Sequence, residues 1–286
     1  MKINITKSYW TECRINVKLT VHFEKESILA SPNTKRDKSK EYSDLYNTPE
    51  VALDKLMNFE NCDALEYLLS LEKNSVNLCL TDPPYAISRE TNFSSGNITG
   101  KDTDRFRVSY DFGEWDKVDL CYFSKLFKTL YSVLTQNGTC IVWYDLWKIQ
   151  ELKVILETVG FKKFRLIEWV KTNPVPINSK VSYLSNAKEY AIVCGKGSNS
   201  TFNSSYNNGV FQYPIYQGKD RFHPTQKSLQ LFEELVKIHT DEQDIVLDMF
   251  AGSGTTLLAA KNTNREFLGC ELDKDFYEKT KERLNV

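Results

Sequence analysis

Short apolar runs alternate with helical patterns from Leu56 to the end of the chain, and this alternation constrains the fold more than any other feature. LMNFENCD, SVNLCLTD and DIVLDMF have the length and apolar content of strands. ALEYLLSLE and VDLCYFSKLFKTLYSVL repeat apolar residues every three or four positions, as helices do. Strands separated by helices form parallel sheets that are covered on both faces. The sequence therefore predicts an α/β fold with a doubly wound, mostly parallel sheet.

Two long polar stretches, residues 86–117 and 195–222, interrupt the alternation and are predicted to be loops. Each follows a strand, and open α/β sheets bind ligands beyond the carboxyl ends of their strands. NGTCIVWYD is predicted to be a strand that follows an Asn-Gly turn, and PTQKSLQLFEELVKIHT a helix that begins at its proline. We therefore expect the functional residues to lie in loops after strands.

Residues 1–45 differ from the rest of the chain and are predicted to form an N-terminal extension or arm, with residues 46–286 as the main domain. The stretch SPNTKRDKSKEYSD is polar and rich in charge. It is either a peripheral appendage or an arm that contacts a polyanion through its basic residues. These are Lys35, Arg36, Lys38 and Lys40.

Composition narrows the class of protein. The formal net charge is -1, so any surface that binds nucleic acid must be local. Seven cysteines without a CxxC pair, together with only three histidines, predict reduced, mostly buried thiols and no metal site. MKINITKSYW lacks the apolar core of a signal peptide, and no apolar run approaches the length of a membrane span. We therefore expect a cytoplasmic protein with no membrane partner.

The stretch DIVLDMFAGSGTTLLAA, residues 244–260, predicts a cofactor site. An apolar strand ends in Asp248, and Gly252 and Gly254 then let the backbone approach a ligand without a Cβ clash. Glu271 ends the next predicted strand about 20 residues later, where an acid can accept hydrogen bonds from ribose hydroxyls. The predicted cofactor residues are Asp248, Phe250, Ala251, Gly252, Ser253, Gly254, Thr255, Thr256 and Glu271.

The same loop also indicates which cofactor it binds. No lysine follows Gly254, as a phosphate-binding P-loop requires, and the third glycine of the dinucleotide pattern is missing. Asp248 would repel a pyrophosphate but attract an amine. An adenosine that carries a cationic amino acid group fits this arrangement, and S-adenosylmethionine is such a molecule. The alternative is a tight strand-helix connection that binds no ligand.

A second motif, LTDPPYAI at residues 80–87, ends a predicted buried strand in an acid, two prolines and an aromatic ring. DPPY followed along the chain by FAGSGTT resembles the β group of DNA amino-methyltransferases, in which the catalytic motif precedes the cofactor motif. The resemblance covers about residues 50–286 and includes EWVKTNP, NAKEYAIVCGKG and HPTQKS. Ser228 replaces the final proline of the usual HPTQKP.

The resemblance implies a Rossmann-like, circularly permuted methyltransferase fold and a site-specific enzyme that transfers a methyl group from S-adenosylmethionine to N6 of a flipped-out adenine in DNA. Asp82 and the carbonyl of Pro83 can each accept one N–H of the amino group, and the rigidity of Pro84 fixes both acceptors in advance. Tyr85 would stack on the extruded base. Direct displacement of this kind needs no metal and no covalent enzyme intermediate.

Further site residues follow from the resemblance. Lys227 is expected near the carboxylate of the cofactor, and Thr225 is expected to cap the following helix and to bond the same group. Asp63 either bonds the adenine amino group of the cofactor or caps a helix, and Phe250 packs either on the cofactor or in the core. Two strand aromatics, Trp169 and Tyr190, are expected in the core.

The predicted DNA-recognition insertion, about residues 197–222, mixes aromatic and basic side chains that suit base stacking and phosphate contact. They are Tyr206, Phe211, Tyr213, Tyr216, Lys219 and Arg221. The loop at 86–117 adds Arg89, Lys101, Arg105 and Arg107. The resemblance implies DNA as the partner, a cognate restriction endonuclease in the same system, and a homodimer.

Other functions stay open at this point. DPPY is typical of adenine-N6 enzymes, whereas SPPY would indicate cytosine N4, and this distinction leaves N4 methylation of cytosine as an alternative. Amino-methylation of RNA or protein is a further enzymatic alternative. The chain could also be a non-catalytic DNA-binding subunit of the same fold, or an oxidoreductase that uses a nicotinamide cofactor.

Overall fold

The computed structural model of the chain describes residues 58–84, 120–175, 184–219, 221–223 and 225–286. The predicted arm at 1–45, Tyr85 and the predicted loop at 86–117 lie outside the described residues. The strands are β1 Asn58–Glu60, β2 Val76–Thr81, β3 Leu134–Tyr144, β4 Lys162–Lys171, β5 Lys188–Gly195, β6 Val210–Tyr213, β7 Ile245–Asp248 and β8 Glu266–Cys270. The helices are α1 Ala64–Ser70, α2 Leu120–Val133, α3 Ile149–Val159, α4 Leu229–His239, α5 Thr255–Asn262 and α6 Lys274–Leu284.

The eight described strands form one sheet in the order β1-β8-β7-β2-β3-β5-β4-β6. β5 runs antiparallel to both of its neighbours, β3 and β4, and the other described pairs are parallel. From β7 the chain passes through α5 to β8 on one side, and from β2 it passes through α2 to β3 on the other. The predicted doubly wound, mostly parallel sheet is therefore confirmed, and its direction of winding reverses between β2 and β7.

Both faces of the sheet are covered, as the apolar content of the strands requires. One core contains Tyr67 of α1, Phe127 of α2 and Leu156 of α3, packed against alternate residues of the central strands. The opposite core contains Leu235 of α4 and Leu257 of α5. Because successive strand residues point to opposite faces, each central strand contributes to both cores. The result is a three-layer arrangement that holds the strand ends rigidly.

Three predicted element bounds were wrong. Asn137 and Gly138 do not form a turn before β3, because the strand begins at Leu134 and continues through both residues, with a shift in its pairing to β2. Residues 195–222 are not loop throughout, because Val210–Tyr213 pair with β4 as a short parallel edge strand. α4 begins at Leu229 rather than at the proline, since Ser228 still has an extended backbone with φ -71° and ψ 119°.

Within the described part of the chain, the predictions of a core tryptophan and of mostly buried thiols were confirmed. Trp169 is fully packed in the core, and its indole N–H donates to the carbonyl of Tyr213 at 2.9 Å. Five described cysteines are free thiols, and all of them except Cys62 are buried. Among the described residues, no helix combines the length and the apolar character needed to cross a bilayer.

Candidate active site

The two predicted motifs meet where the sheet reverses its winding. β2 and β7 are adjacent and parallel, so Asp82 follows β2 at the edge of the sheet where Asp248 ends β7. The hydroxyl of Thr81 donates to Oδ1 of Asp248 at 2.8 Å and joins the two strand ends directly. Ligands of open α/β sheets bind at such a switch point. The structure therefore brings the acid of DPPY and the glycine loop together, as the sequence predicted.

The glycine loop has the backbone geometry that its residues predicted. Gly252 and Gly254 have φ angles of 51° and 70°, in the left-handed region that glycine adopts without cost. A Cβ on Gly254 would lie 2.5 Å from Cγ2 of Thr280, so the loop packs directly on α6. The hydroxyl of Thr280 donates to the Gly252 carbonyl at 2.7 Å, and Arg283 donates to the Ser253 carbonyl at 2.7 Å. The loop is thus held from behind by the last helix.

Two acids flank this loop at the ends of β7 and β8. Burial raises the pKa of Asp248 to about 6, although hydrogen bonds from Thr256, Thr81 and the Phe250 N–H oppose that shift. Burial also raises the pKa of Glu271, whose carboxylate accepts the Gly252 N–H at 2.7 Å. A buried carboxylate with a raised pKa is stabilised by a cationic ligand. These residues therefore fit the amino acid group and ribose of S-adenosylmethionine.

The remaining predicted residues of the loop support its shape. Ala251 is buried, and its N–H donates to the carbonyl of Cys270 at 3.0 Å. Phe250 is partly buried against the core beside the sheet. The hydroxyls of Ser253 and Thr255 lie 3.0 Å apart, and that of Thr256 donates to the Leu80 carbonyl at 3.2 Å. The last contact ties the first turn of α5 to the strand that carries DPPY.

Lys227 contacts the acid of the catalytic motif. Its Nζ lies 2.9 Å from Oδ2 of Asp82 and 2.6 Å from Oε2 of Glu189. Lys171 lies 2.7 Å from the other oxygen of Glu189. Burial opposes ionisation of Glu189, but the charges of Lys227 and Lys171 outweigh it and lower its pKa to about 2. A charged network thus extends from β4 to the predicted catalytic acid.

Thr225 does not cap α4, contrary to prediction. Ser228 occupies the N-cap position, and the Thr225 hydroxyl instead lies 3.2 Å from Nδ1 of His223. Ser228, which lies between Thr225 and the helix, has an extended backbone, so the helix begins four residues after Thr225. His223 itself lies over the glycine loop, where a Cβ on Gly252 would be 3.2 Å from Nε2. Burial lowers the pKa of His223 to about 4, so the imidazole is neutral.

Asp63 is the N-cap of α1, one of the two roles that the sequence left open. Its Oδ1 accepts the N–H of Leu65 at 2.8 Å and that of Glu66 at 3.3 Å. Its Oδ2 accepts the hydroxyl of Tyr122 at 2.9 Å. The carboxylate therefore orders the loop after β1, at the same edge of the sheet as Glu271.

The predicted DNA-recognition insertion is divided between opposite edges of the sheet. β5 descends to the edge where β3 begins, and Lys196 donates to the carbonyl of Leu134 there at 2.6 Å. β6 then carries the chain back, so that the N–H of Ile215 donates to Asn173, which follows the carboxyl end of β4, at 2.6 Å. Tyr206 consequently precedes β6 at the edge remote from Asp82.

The other residues of the insertion also differ in position. Phe211 is buried in the core, and Tyr213 is half-buried with its hydroxyl bonded to Glu234 at 2.5 Å. Tyr216, Lys219 and Arg221 follow β6 at the edge that carries the DPPY acid. The aromatic and basic composition of residues 197–222 could not reveal that they are divided between two edges, because this division depends on the directions of β4, β5 and β6.

Several site residues were not identified from the sequence. Thr81 and Glu189 lie within quoted motifs, and a charged residue such as Glu189 inside an apolar strand pattern was a usable signal. Thr280 and Arg283 belong to a charged helix near the end of the chain and have no local signal at all. Their role depends on the packing of α6 behind the glycine loop.

Comparison with known proteins finds a family model and relatives that match most of this chain. A family model described as DNA methylase matches residues 76–282. The Type II methyltransferase M2.LlaDCHI of Lactococcus lactis subsp. cremoris is 29% identical over 245 residues, which cover 79% of this chain and 88% of that protein. The Type II methyltransferase M2.DpnII of Streptococcus pneumoniae is 29% identical over 244 residues, covering 78% of this chain and 88% of that protein.

Solved structures agree with this result. The M1.HpyAVI–SAM complex superposes with a TM-score of 0.61 at 26% identity, covering 80% of this chain and 100% of that one. The cytosine-N4-specific PvuII DNA methyltransferase has a TM-score of 0.61 at 19% identity, covering 79% of this chain and 85% of that one. At that identity the second match shows the fold alone.

Proposed function

Since this chain belongs to the DNA methylase family and is a DNA methyltransferase that uses S-adenosylmethionine, we propose that it methylates N6 of adenine at specific sites. The choice of adenine rests on the DPPY motif, and the observation that carries the proposed chemistry is the junction of β2 and β7. There the hydroxyl of Thr81 bonds Asp248 at 2.8 Å, and Asp82 is the next residue along the chain. An acceptor for the target amino group and the cofactor loop thus share one edge of the sheet.

The proposed roles at DPPY follow from the chemistry of the amino group. Its lone pair is delocalised into the base ring, so it is a weak nucleophile. The Asp82 carboxylate accepts one N–H, the Pro83 carbonyl accepts the other, and both bonds favour the pyramidal nitrogen with its lone pair exposed. Tyr85, which lies outside the described residues, would stack on the base and return part of the few kcal/mol that flipping requires.

Bound S-adenosylmethionine supplies an electrophilic methyl carbon on a positively charged sulfur. With the cofactor bound, Asp82 and the Pro83 carbonyl would hold the amino nitrogen with its lone pair toward that methyl carbon, and the proton that the nitrogen loses on transfer would pass to water. Asp248 and Glu271 are proposed to hold the cofactor, with the backbone of Gly252 and Gly254 close to it. Asp82 needs only to accept a hydrogen bond, which suits a carboxylate paired with Lys227.

Replacement of Asp82 tests this proposal. We expect Asp82→Asn and Asp82→Ala to lower the methylation rate about 100- to 1,000-fold, as loss of one preorganised polar contact does, with cofactor affinity largely kept. Transfer of labelled methyl groups to DNA measures the rate, and calorimetry measures binding of S-adenosylmethionine. Digestion of the product to nucleosides identifies the base.

Asp145 provides a matched control, because it follows the neighbouring strand β3 at the same edge of the sheet. Asp145→Asn should leave the rate within about twofold, since Oδ1 of Asp145 accepts the Trp147 N–H of its own turn at 2.8 Å and an amide oxygen can keep that bond. Unchanged transfer by the Asp82 variants would refute the proposed role. A product that contains N4-methylcytosine without N6-methyladenine would refute the choice of base.

The relatives are named Type II methyltransferases. We propose on that basis that the methylation marks sites for protection from a cognate restriction endonuclease in the same system. The homodimer and the cytoplasmic location expected from the sequence remain predictions.

A further inference from the structure

Two charged residues lie in family motifs that the proposed reaction does not use. Lys171 is in EWVKTNP at the end of β4, and Glu189 is in NAKEYAIVCGKG near the start of β5. The two strands are antiparallel, and Trp169 pairs with Glu189 in their register. Because side chains alternate along a strand, Trp169, Lys171 and Glu189 point to the same face of the sheet.

On that face the charges alternate along a line that ends at the predicted catalytic acid. The Glu189 carboxylate lies 2.7 Å from Lys171 and 2.6 Å from Lys227, and Lys227 lies 2.9 Å from Asp82. The side chains of Lys227 and Lys171 are only 8% and 13% exposed. Ion pairs that are shielded from water to this extent are screened less by salt than surface pairs.

The network rests on two buried tryptophans. Nζ of Lys227 lies 5.6 Å from the centre of the Trp143 ring, and Nζ of Lys171 lies 5.5 Å from that of Trp169. The two rings meet edge to face at 6.2 Å, and Phe232 of α4 stacks on Trp143. Each ammonium group therefore has an aromatic face beneath it and a carboxylate beside it. This packing restricts where the Lys227 ammonium can lie.

We propose that Glu189 is a positioning residue for methyl transfer: it anchors the Lys227 ammonium, which orients the Asp82 carboxylate toward the target amino group. This inference rests on the proposed role of Asp82. Two cations, Lys171 and Lys227, share Glu189, so removal of its charge leaves them without the anion between them. Lys227 would then shift relative to Asp82 and change the direction of its carboxylate.

The charge of Glu189 also matters for the reaction itself. The four side chains Lys171, Glu189, Lys227 and Asp82 together have no net charge. The amino nitrogen gains positive charge as the N–C bond forms, and a local excess of cations would oppose that change. Loss of the Glu189 charge should therefore slow the chemical step more than it weakens binding.

The test is Glu189→Gln in the full chain, which keeps the shape of the side chain and removes its charge. At saturating DNA and S-adenosylmethionine, we expect the single-turnover rate to fall about 10- to 100-fold, because small misplacements of catalytic groups have effects of this size. The dissociation constants of both ligands should stay within about twofold. Glu189→Asp keeps the charge on a shorter side chain. Its rate should lie between the rate of Glu189→Gln and that of the unaltered chain.

Glu168→Gln is the matched control. Glu168 is a strand acid on β4 that pairs with Lys188, whose side chain is 51% exposed. We expect this variant to keep the full rate, because exposed ion pairs contribute little. Circular dichroism and thermal unfolding establish that each variant is folded, and if Glu189→Gln does not fold, the rate of Glu189→Asp decides.

The outcomes separate this inference from the proposed function. A full rate for Glu189→Gln, while Asp82→Asn is inactive, overturns the positioning role alone. Weaker cofactor binding at an unchanged rate also overturns it, because Lys227 would then serve the cofactor as the sequence first indicated. Absence of DNA methylation by the unaltered chain overturns both proposals. The positioning role is supported if Glu189→Gln is slow with unchanged affinities for both ligands and Glu189→Asp recovers part of the rate.

Discussion

Asp248 illustrates how a residue that is proposed to bind the cofactor can be costly for stability. The residue is 4% exposed, and burial raises the pKa of its carboxyl from the ordinary value of 3.8 to about 6. Thr81 and the Phe250 N–H each donate a hydrogen bond to it, and these bonds only partly offset the burial. A site that keeps a destabilised anion in this way is prepared for a cation.

The first prediction at the residue scale concerns pH. An acid whose pKa is raised by folding binds its proton more tightly in the folded state, so stability falls as pH rises from about 4 to about 6. Asp248→Asn is neutral throughout this window. The stability of the variant relative to the unaltered chain should therefore increase from pH 4 to pH 6.5 by an amount on the order of 2–3 kcal/mol. Urea unfolding at several pH values measures this difference.

If the free energies of unfolding of Asp248→Asn and of the unaltered chain depend on pH in the same way, the raised pKa is not that of Asp248. The same variant should bind S-adenosylmethionine more weakly at pH 7, since the proposed partner of its amino group has lost its charge. The two measurements are independent, because the unfolding experiment contains no cofactor.

At the scale of elements, the site is built from the ends of strands and the starts of helices. α5 begins directly after Gly254, whose left-handed backbone turns the chain from β7 into the helix. α1 begins after Asp63, which accepts two N–H groups of its first turn. Such ends leave backbone donors without partners inside the helix, and side chains or ligands satisfy them. The helices thus contribute to the site mainly through their first turns.

The cap of α1 gives a prediction at this scale. Asp63→Ala should lower the free energy of unfolding by about 1 kcal/mol, within the range of 0.5–2 typical of lost N-caps. Asp63→Asn keeps an oxygen that can accept the Leu65 and Glu66 N–H groups, so its loss of stability should be smaller. Thermal or urea unfolding measures both variants.

Calorimetry with S-adenosylmethionine then separates the two roles that the sequence left open for Asp63. If Asp63→Asn keeps its stability but binds the cofactor more weakly, the carboxylate also serves the adenine amino group. If Asp63→Ala unfolds no more easily than the unaltered chain, the N-cap contributes nothing measurable and the structural assignment fails.

At the scale of the whole molecule, the two edges of the sheet carry different residues of the predicted site. The edge with the carboxyl ends of β2 and β7 holds Asp82 and the glycine loop, whereas Tyr206 lies at the opposite edge. The net charge of the chain is only -1, so DNA must be attracted by a local group of basic residues. Lys219 and Arg221 follow β6 at the edge that carries Asp82, and both are exposed.

The last prediction compares the two edges directly. Lys219→Ala and Arg221→Ala should weaken DNA binding and lower the slope of log K against log salt by about 1 each, as loss of a phosphate contact does. Lys162, at the start of β4, is the matched control at the opposite edge, and Lys162→Ala should leave the slope unchanged. Fluorescence anisotropy with labelled duplex DNA measures the slopes.

An aromatic pair extends the same comparison. Tyr216→Ala should weaken binding, whereas Tyr206→Ala should not, although Tyr206 is 89% exposed and suits base stacking by its chemistry. An equal loss for the lysines or tyrosines at both edges would show that DNA contacts the chain differently from this proposal.

Much of this protein could be predicted from its sequence because the relevant signals are local. Strand and helix periodicities identified the α/β fold, and Gly252 and Gly254 predicted the left-handed turn of the proposed cofactor loop, since backbone freedom is a property of the residues themselves. Errors arose where neighbours in space decide the outcome. Asn137 and Gly138 have the residue types of a turn, yet they lie within β3, in the irregular stretch between Leu134 and Thr139, which both pair with β2.

The sequence by itself determined the kind of fold, the order of the two motifs and the acid at the end of each of their strands. Only the tertiary structure decided that Lys227 meets Asp82 and Glu189, and that residues 197–222 are divided between two edges of the sheet. Hydrophobic periodicity, turn residues and charge are signals that lie within a few neighbouring residues of the sequence. Ion pairs and strand directions join segments that are distant along the chain, and the packing of those segments alone sets them.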